Sequence, residues 1–431
     1  MNQRAKCTRR RFLKGATTGL GAGAIAPYVL TSGALGAAGG RPASERITVG
    51  FIGIGNMGGG HLGGCVGDGQ LQILAISDVK ASRARWGKGV VEGRYAKDRS
   101  RGSYKGCELY NDFRDLLARD DIDAILTATP DQWHATVAIL AAQAGKDIYS
   151  EKPLSLTIRE ARMMVDAVRR YERVFQTGSQ QRSAGNFRFA CELVRNGYIG
   201  ELKQVNVGVG GPSSDRYFKP EPVPPGVDWD RWLGPSPWHP YNSTRISGNY
   251  GGGWRLVRDT SGGMMTDWGA HHFDIAQWGM GMDNSGPVEV HPPDRAKRSP
   301  LTYRYAGGVV MFHGGANGIL FTGTKGKVEV NRGRLRTWPD SLMKVKLAPN
   351  DTRLYHSPGH RQDWINCIRT RRRPICDVEV GCRSVTVCHL GNIAWWLGQP
   401  FRWDPKTEQI LDNPQAARWL DRPKREPYAW I

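Results

Sequence analysis

Ile47-Thr48-Val49-Gly50-Phe51-Ile52-Gly53-Ile54-Gly55-Asn56-Met57-Gly58 is the stretch on which the fold turns. A short, mostly apolar run enters a Gly-x-Gly-x-x-Gly turn, and a helix-compatible segment leaves it. A strand passing into a helix through such a turn can present backbone N–H groups to a pyrophosphate. Glycine is abundant here, 55 of 431 residues, so the turn alone says little. Asp78 adds the weight. It stands twenty residues beyond Gly58, at the end of a second apolar run over 71–76, where a carboxylate accepts hydrogen bonds from an adenosine ribose. The same carboxylate repels a 2′-phosphate, so NAD is preferred to NADP; Lys80, Arg83 and Arg85 keep NADP open.

Further strands are expected at 124–127 and 147–149, with helical periodicity over 111–117 and 133–144. Strands and helices in this rhythm imply a doubly wound parallel sheet with right-handed crossovers. Ligands of such sheets bind at the strands' C-terminal ends. Two segments fall there. Thr129-Pro130-Asp131-Gln132-Trp133-His134 follows one strand, with Thr129 and Pro130 placed to shape a floor beneath a nicotinamide and His134 opening the next helix. Glu151-Lys152-Pro153 follows another and puts an ammonium at the same crevice.

Ahead of this domain stands Thr8-Arg9-Arg10-Arg11-Phe12-Leu13-Lys14, a twin-arginine export pattern, followed by a Gly- and Ala-rich, weakly apolar stretch. Residues 1–40 are read as a removable signal, and the mature chain as exported, periplasmic in location, with no stable membrane insertion. The formal charge of +20 falls to +14 without the six cations of that segment. The remaining Lys and Arg are dispersed, which argues against nucleic acid as a partner. Seven cysteines remain with no Cys-x-x-Cys pair and no zinc spacing, so buried thiols are expected and no metal.

After Gly200 the texture changes. Alternating stretches at 202–209, 301–312, 318–322, 328–330 and 343–347 imply a large open, mostly antiparallel sheet in a second α/β domain. The expected domains are 45–170, 171–400 and a tail, 401–431, packing back on the body. Residues 212–250, rich in Pro, Gly, Ser and Trp, form a long ordered loop. The chemistry concentrates in Ser261-Gly262-Gly263-Met264-Met265-Thr266-Asp267-Trp268-Gly269-Ala270-His271-His272-Phe273-Asp274. On a helix, Asp267 and His271 share a face, and Asp274 is spaced to orient the His271 ring. A carboxylate, an imidazole and a lysine suit alcohol oxidation by hydride transfer. Tryptophans cluster nearby at 229, 232, 238, 254, 268 and 278; most should pack the loop, with one or two offering indole faces to a sugar.

Taken in order, GFIGIGNMGGGH, SDV, TPDQWHA, EKPLS and SGGMMTDWGAHHFD resemble the Gfo/Idh/MocA oxidoreductases, the glucose–fructose oxidoreductase and inositol dehydrogenase relatives. GTKGKVEV and HLGNIAWWLGQPFRWDP are similar to an exported, twin-arginine-bearing branch. The resemblance implies a Rossmann domain followed by an α/β domain whose sheet mediates homodimers or homotetramers. It implies Lys152, Asp267 and His271 as catalytic residues: Lys152 bonding the reacting hydroxyl, His271 as acid/base, Asp267 orienting substrate. Gly53, Gly55, Asn56, Met57, Gly58, Asp78, Thr129, Pro130, His134, Glu151 and Lys152 are the candidate cofactor contacts, and Trp133, Arg182, Trp254, Arg255 and His272 the candidate substrate contacts.

The expectation is an exported NAD-dependent oxidoreductase acting on a sugar or glycoside hydroxyl. Away from the cytoplasmic nicotinamide pool, it should hold its cofactor tightly and restore its redox state each turnover. The alternative is a glycosidase that uses the same first oxidation, then eliminates and re-reduces. The histidine segment differs from that of the relatives that remove N-acetylgalactosamine, so that activity is not expected. The remote alternative is a non-catalytic carbohydrate binder.

Overall fold

Residues 45–96, 104–247, 252–294 and 296–431 are described by the structure, a computed structural model. The export pattern and the rest of 1–40 lie outside the described residues. The first domain is built on six parallel strands: β1 (Ile47–Ile52), β2 (Leu71–Ser77), β3 (Glu108–Tyr110), β4 (Ala124–Thr127), β5 (Asp147–Ser150) and β6 (Phe175–Thr177). Their order is β3-β2-β1-β4-β5-β6. β1 is central, paired with β2 on one side and with β4 on the other, where Val49 faces Ala124 and Ile52 faces Thr127. Helices cover both faces, so the central strands read as continuous apolar runs. Because the chain winds outward both ways from β1 and β4, a crevice opens at their C-terminal ends.

β6 carries this sheet beyond residue 170, the boundary expected from sequence. Among the described residues the second domain holds nine strands, from β7 (Leu202–Gly208) and β8 (Glu289–His291) to β14 (Phe401–Asp404) and β15 (Gln409–Ile410). All its described pairings are antiparallel except β7 with β10 (Val310–His313). Val205, Val207, Ile319 and Phe321 point to one face and pack under the helices Gly185–Arg195, Gly269–Met280 and Val378–Leu397. Gln204, Asn206, Phe312 and Leu320 lie half-buried on the other.

One expected strand is absent. Residues 343–347 alternate apolar and charged, yet Asp340–Lys344 is a short 3₁₀ turn and the following residues join no strand among the described residues. Alternation needs a neighbouring edge, and Pro339, which has no N–H to give, turns the chain off the sheet after Trp338. The chain then returns to the first domain. Trp364, Ile365 and Cys367 of the helix His360–Thr370 join the core formed by Phe51, Leu62 and Tyr149. All seven described cysteines are free and buried. No described helix is long and apolar enough to cross a membrane.

Candidate functional site

Each fingerprint glycine answers a different steric demand. Gly53 has φ +82°, and a Cβ there would sit 3.0 Å from the Ala128 carbonyl oxygen. At Gly58 a Cβ would lie 2.0 Å from the Gly53 carbonyl oxygen, so helix and turn can close only on a glycine. At Gly55 nothing stands within 4 Å: that side of the backbone is open to a ligand. The helix Asn56–Val66 begins there without a side-chain cap, its positive end at the crevice.

Asp78 ties this turn to the next strand end. Its Oδ2 accepts from Ile54 N at 2.7 Å and its Oδ1 from Lys80 N at 2.8 Å, leaving each oxygen a lone pair for ribose hydroxyls. Burial pushes its carboxyl up, opposed by those two bonds. Arg83 donates to the carbonyls of Ile54, at 2.7 Å, and Gly55, at 3.0 Å, so its guanidinium braces the turn.

At the other end of the same cavity, Lys152 Nζ lies 2.7 Å from Asp267 Oδ1 and 3.1 Å from the Asp267 carbonyl. Gly263 makes this possible: at φ +80° its backbone passes so close to Ser213 that a Cβ would approach Ser213 N to 2.2 Å. The chain then turns through Met264–Asp267, bends at Trp268 and continues as the helix Gly269–Met280. Burial alone would raise the Asp267 carboxyl, but Lys152 and then Arg255 outweigh it and hold it below the usual range. Arg255 Nε stands 3.7 Å from the same oxygen, its guanidinium over the Trp254 ring. His271 is buried one turn beyond Asp267, off the cavity wall, with no partner on Nδ1. Burial, then the charges of Lys152 and Arg332, push its imidazole well below the ordinary value, so it is neutral at neutral pH.

Glu151 also lines the cavity; it accepts from His61 Nε2 at 2.7 Å and from Lys152 N at 3.2 Å, which fixes the peptide bearing Lys152. Asn56, Met57, Thr129, Pro130, Trp133, Trp254 and Arg255 line it too. Asp131, given no role from sequence, is a further wall residue: fully buried, its Oδ2 without a partner, its carboxyl raised to about 6 by burial. A carboxylate at a helix start is so ordinary that its position carried no signal.

Three expected contacts go elsewhere. Arg182 is buried in the second domain, with Nε 2.8 Å from Asp274 Oδ2 and Nη2 2.7 Å from Asp283 Oδ1, beneath Trp278. It neutralises two carboxylates and does not line the cavity. Asp274 is thereby engaged by Arg182 and by Ser384 at 2.6 Å, and does not orient His271. His134 spans two loops, Nδ1 2.6 Å from the Pro153 carbonyl and Nε2 2.9 Å from that of Thr129; both nitrogens face backbone, and the ring does not line the cavity. His272, held by Asn317 at 2.8 Å and fully buried, is off the cavity wall as well.

The loop rich in tryptophan arches over the crevice. It is stitched to the strand end after β2 by Ala81 N to Gly226 O at 2.8 Å and Asp228 N to Val79 O at 2.9 Å. Trp232 and Trp254 line the cavity, Trp229 stacks on Trp232 at 4.7 Å, and Trp238 is exposed.

Residues 47–179 match the oxidoreductase family's NAD-binding Rossmann fold (GFO_IDH_MocA), and residues 211–430 match its C-terminal alpha/beta domain (GFO_IDH_MocA_C2). An uncharacterized oxidoreductase, YrbE, of Bacillus subtilis is 29% identical over 258 residues, 60% of this chain and 60% of that protein. A glycosyl hydrolase family 109 protein of Shewanella pealeana is 32% identical over 215 residues, 46% of this chain and 44% of that protein. The chain thus spans about half the length of these relatives. Aldose-aldose oxidoreductase from Caulobacter crescentus shares the fold with a TM-score of 0.57 at 18% identity, covering 83% of this chain and 99% of that one.

Proposed function

The chain belongs to the Gfo/Idh/MocA oxidoreductase family, and on that premise we propose that it moves a hydride between a sugar or glycoside hydroxyl carbon and a tightly held nicotinamide dinucleotide. The observation that carries the reading is a single cavity with the glycine turn and Asp78 at one end and the Lys152–Asp267 pair at the other. The open side of Gly55, the uncapped helix start and the two spare lone pairs of Asp78 fit a pyrophosphate and a ribose. When bound, the nicotinamide ring supplies the hydride acceptor. Lys152 Nζ donates to the reacting hydroxyl oxygen and stabilises negative charge as it develops there. Asp267 orients a neighbouring hydroxyl while keeping Lys152 in place. His271, neutral through burial and seated behind the cavity wall, takes the hydroxyl proton indirectly, by way of Lys152, whose charge it feels. The Caulobacter protein that shares the fold, an aldose-aldose oxidoreductase, is in keeping with this substrate class.

The decisive test is the dinucleotide released on heat denaturation of protein purified without added cofactor, followed by turnover with a panel of sugars and glycosides. Near one equivalent released and a keto-sugar formed would support the proposal. Full activity in Lys152→Ala would sink the catalytic assignment. The same proposal includes export through the Thr8–Lys14 pattern, tested by fractionation of the full-length chain against one with Arg9 and Arg10 replaced. It also includes a homodimer or homotetramer built on the open sheet, tested by light scattering.

A second reading is favoured by the 32% identity to the Shewanella glycosyl hydrolase. Oxidation at C3 would acidify the C2 proton, elimination would expel the aglycone, and addition of water with return of the hydride would restore the sugar. Aglycone release with no net change in NADH selects this reading, even though the histidine segment is written differently.

A further inference from the structure

Residues 425–431 cross from the second domain to the rim of the cavity. Arg425 Nη1 donates to Asp230 Oδ1 at 2.8 Å, its Nη2 to the Asp230 carbonyl at 3.0 Å, and its Nε to the Gly234 carbonyl at 3.1 Å. The Tyr428 hydroxyl donates to Asp230 Oδ2. These bonds grip the short helix Trp229–Leu233, the part of the overlying loop that carries Arg231 and Trp232 into the cavity wall. Past them, Trp430 meets Tyr428, Trp133 and Phe113 at centroid distances of 5.2, 5.9 and 6.1 Å. The Arg114 guanidinium lies 4.1 Å from its ring centroid. Trp430 is only half-buried by these neighbours, and it lines the same cavity as Gly55 and Asp78.

The sheet order says which part of a ligand this corner would meet. Lys152 follows β5, on one side of β1; Asp78 follows β2, on the other. Still farther out is β3, whose last residue accepts at its carbonyl from Asp78 N at 3.2 Å. The segment after β3 supplies Asn111 and, at the start of the helix Phe113–Leu117, Phe113 to the cavity, beside Arg231 and Trp430. A dinucleotide with its pyrophosphate on the glycine turn and its ribose at Asp78 directs the attached base away from Lys152, toward this aromatic corner.

We propose that Trp430 is a wall of the adenine subsite, and that the Arg425 and Tyr428 bonds to Asp230 hold it and Trp232 closed over the bound dinucleotide. The inference rests on the dinucleotide reading above. An indole face packs on a purine without regard to its edge groups, and a segment anchored outside the cavity keeps that face in place. Retention of the cofactor then comes from a part of the chain remote from the glycine fingerprint.

The test measures the release rate of NADH from the full chain and the Kd of AMP, which carries base and ribose but no nicotinamide. Trp430→Ala should speed NADH release and weaken AMP by a common factor of about 5 to 100, while Trp430→Phe recovers most of both. Arg425→Met, outside the cavity wall, should speed NADH release in the same direction, and it carries the test if Trp430→Ala does not fold. Unchanged release in the Trp430 and Arg425 variants overturns the inference, as does a loss of NADH affinity with AMP binding intact. Wild-type protein that binds neither NADH nor AMP refutes the dinucleotide reading itself; wild-type binding with unaffected variants refutes only the role of Trp430.

Discussion

Lys152 Nζ and Asp267 Oδ1, 115 residues apart in sequence, meet at 2.7 Å across the boundary between the two domains. The ammonium comes from the end of a parallel strand and the carboxylate from the turn that opens a helix of the other domain. The pair therefore exists only when the domains are docked, which couples the reactive geometry to assembly of the whole crevice.

Removing either partner should act on both rate and stability. Lys152→Met is expected to lower kcat by about 10²–10⁴-fold and to lower stability by less than the about 3–5 kcal/mol of a fully stranded charge, because Asp267 is left buried with Arg255, 3.7 Å away, as its remaining counter-charge. The double variant Lys152→Met, Asp267→Leu should regain part of the stability, since Arg255 then loses its carboxylate, and none of the rate. Urea unfolding beside steady-state kinetics separates the two effects; a double variant no more stable than Lys152→Met would contradict the uncompensated-charge argument.

Two glycine variants should part company. Gly58→Ala places a methyl 2.0 Å from the Gly53 carbonyl oxygen, so it should destabilise the first domain by about 1–3 kcal/mol or more. Gly55→Ala meets nothing within 4 Å and should melt like the native chain, yet bind NAD at least about tenfold more weakly, since the methyl enters the pyrophosphate's approach. Melting curves with and without NAD decide this.

Arg182→Ala should cost about 3–5 kcal/mol of stability by stranding Asp274 and Asp283. A substrate contact would behave differently: KM would rise at unchanged melting temperature. Calorimetry and KM on the same preparation distinguish a structural arginine from a binding one.

Acid should weaken the fold through its buried histidines. His271 and His313 are pushed below their ordinary 6.5, and His272, His360 and His389 to about 4, in each case chiefly by burial. Their folded values lie below their unfolded ones, so the unfolded chain binds the extra protons. The stability they give is complete above about pH 6.5 and is lost as pH falls toward 4. Asp131, raised to about 6, has the opposite sign: its contribution is complete below the ordinary carboxyl value and is lost as pH rises through about 6. Asp131→Asn should therefore stabilise the protein above pH 6, by roughly 1–3 kcal/mol, and do little at pH 4. Melting temperatures across pH 4–8 for both proteins check the two signs together.

Much of this fold is written locally. β1 and β4 lie where apolar runs place them, because a central parallel strand is buried on both faces and admits no polar interruption. Edge strands obey weaker rules. Arg334–Trp338 carries two arginines on its exposed side and went unread, whereas residues 343–347 alternate without forming a strand. In the site, the glycines, Asp78, Lys152 and Asp267 were legible because turn and strand-end chemistry is local. Phe113, Arg231 and Trp430 were not, since each belongs to a separate segment and only tertiary packing brings them to one wall. Arg182 misled for the same reason: its two acidic partners lie far along the chain.

The seven buried thiols bear on how the chain must be handled, and on the order of events in its life. Their sulfurs are shielded by packing alone, without any cross-link among them. Folded molecules should therefore tolerate an oxidising medium, while unfolded ones expose every sulfur at once and scramble. Heating in air should be irreversible and heating under reductant recoverable, and a chain bound for an oxidising compartment would have to complete its packing before it arrives.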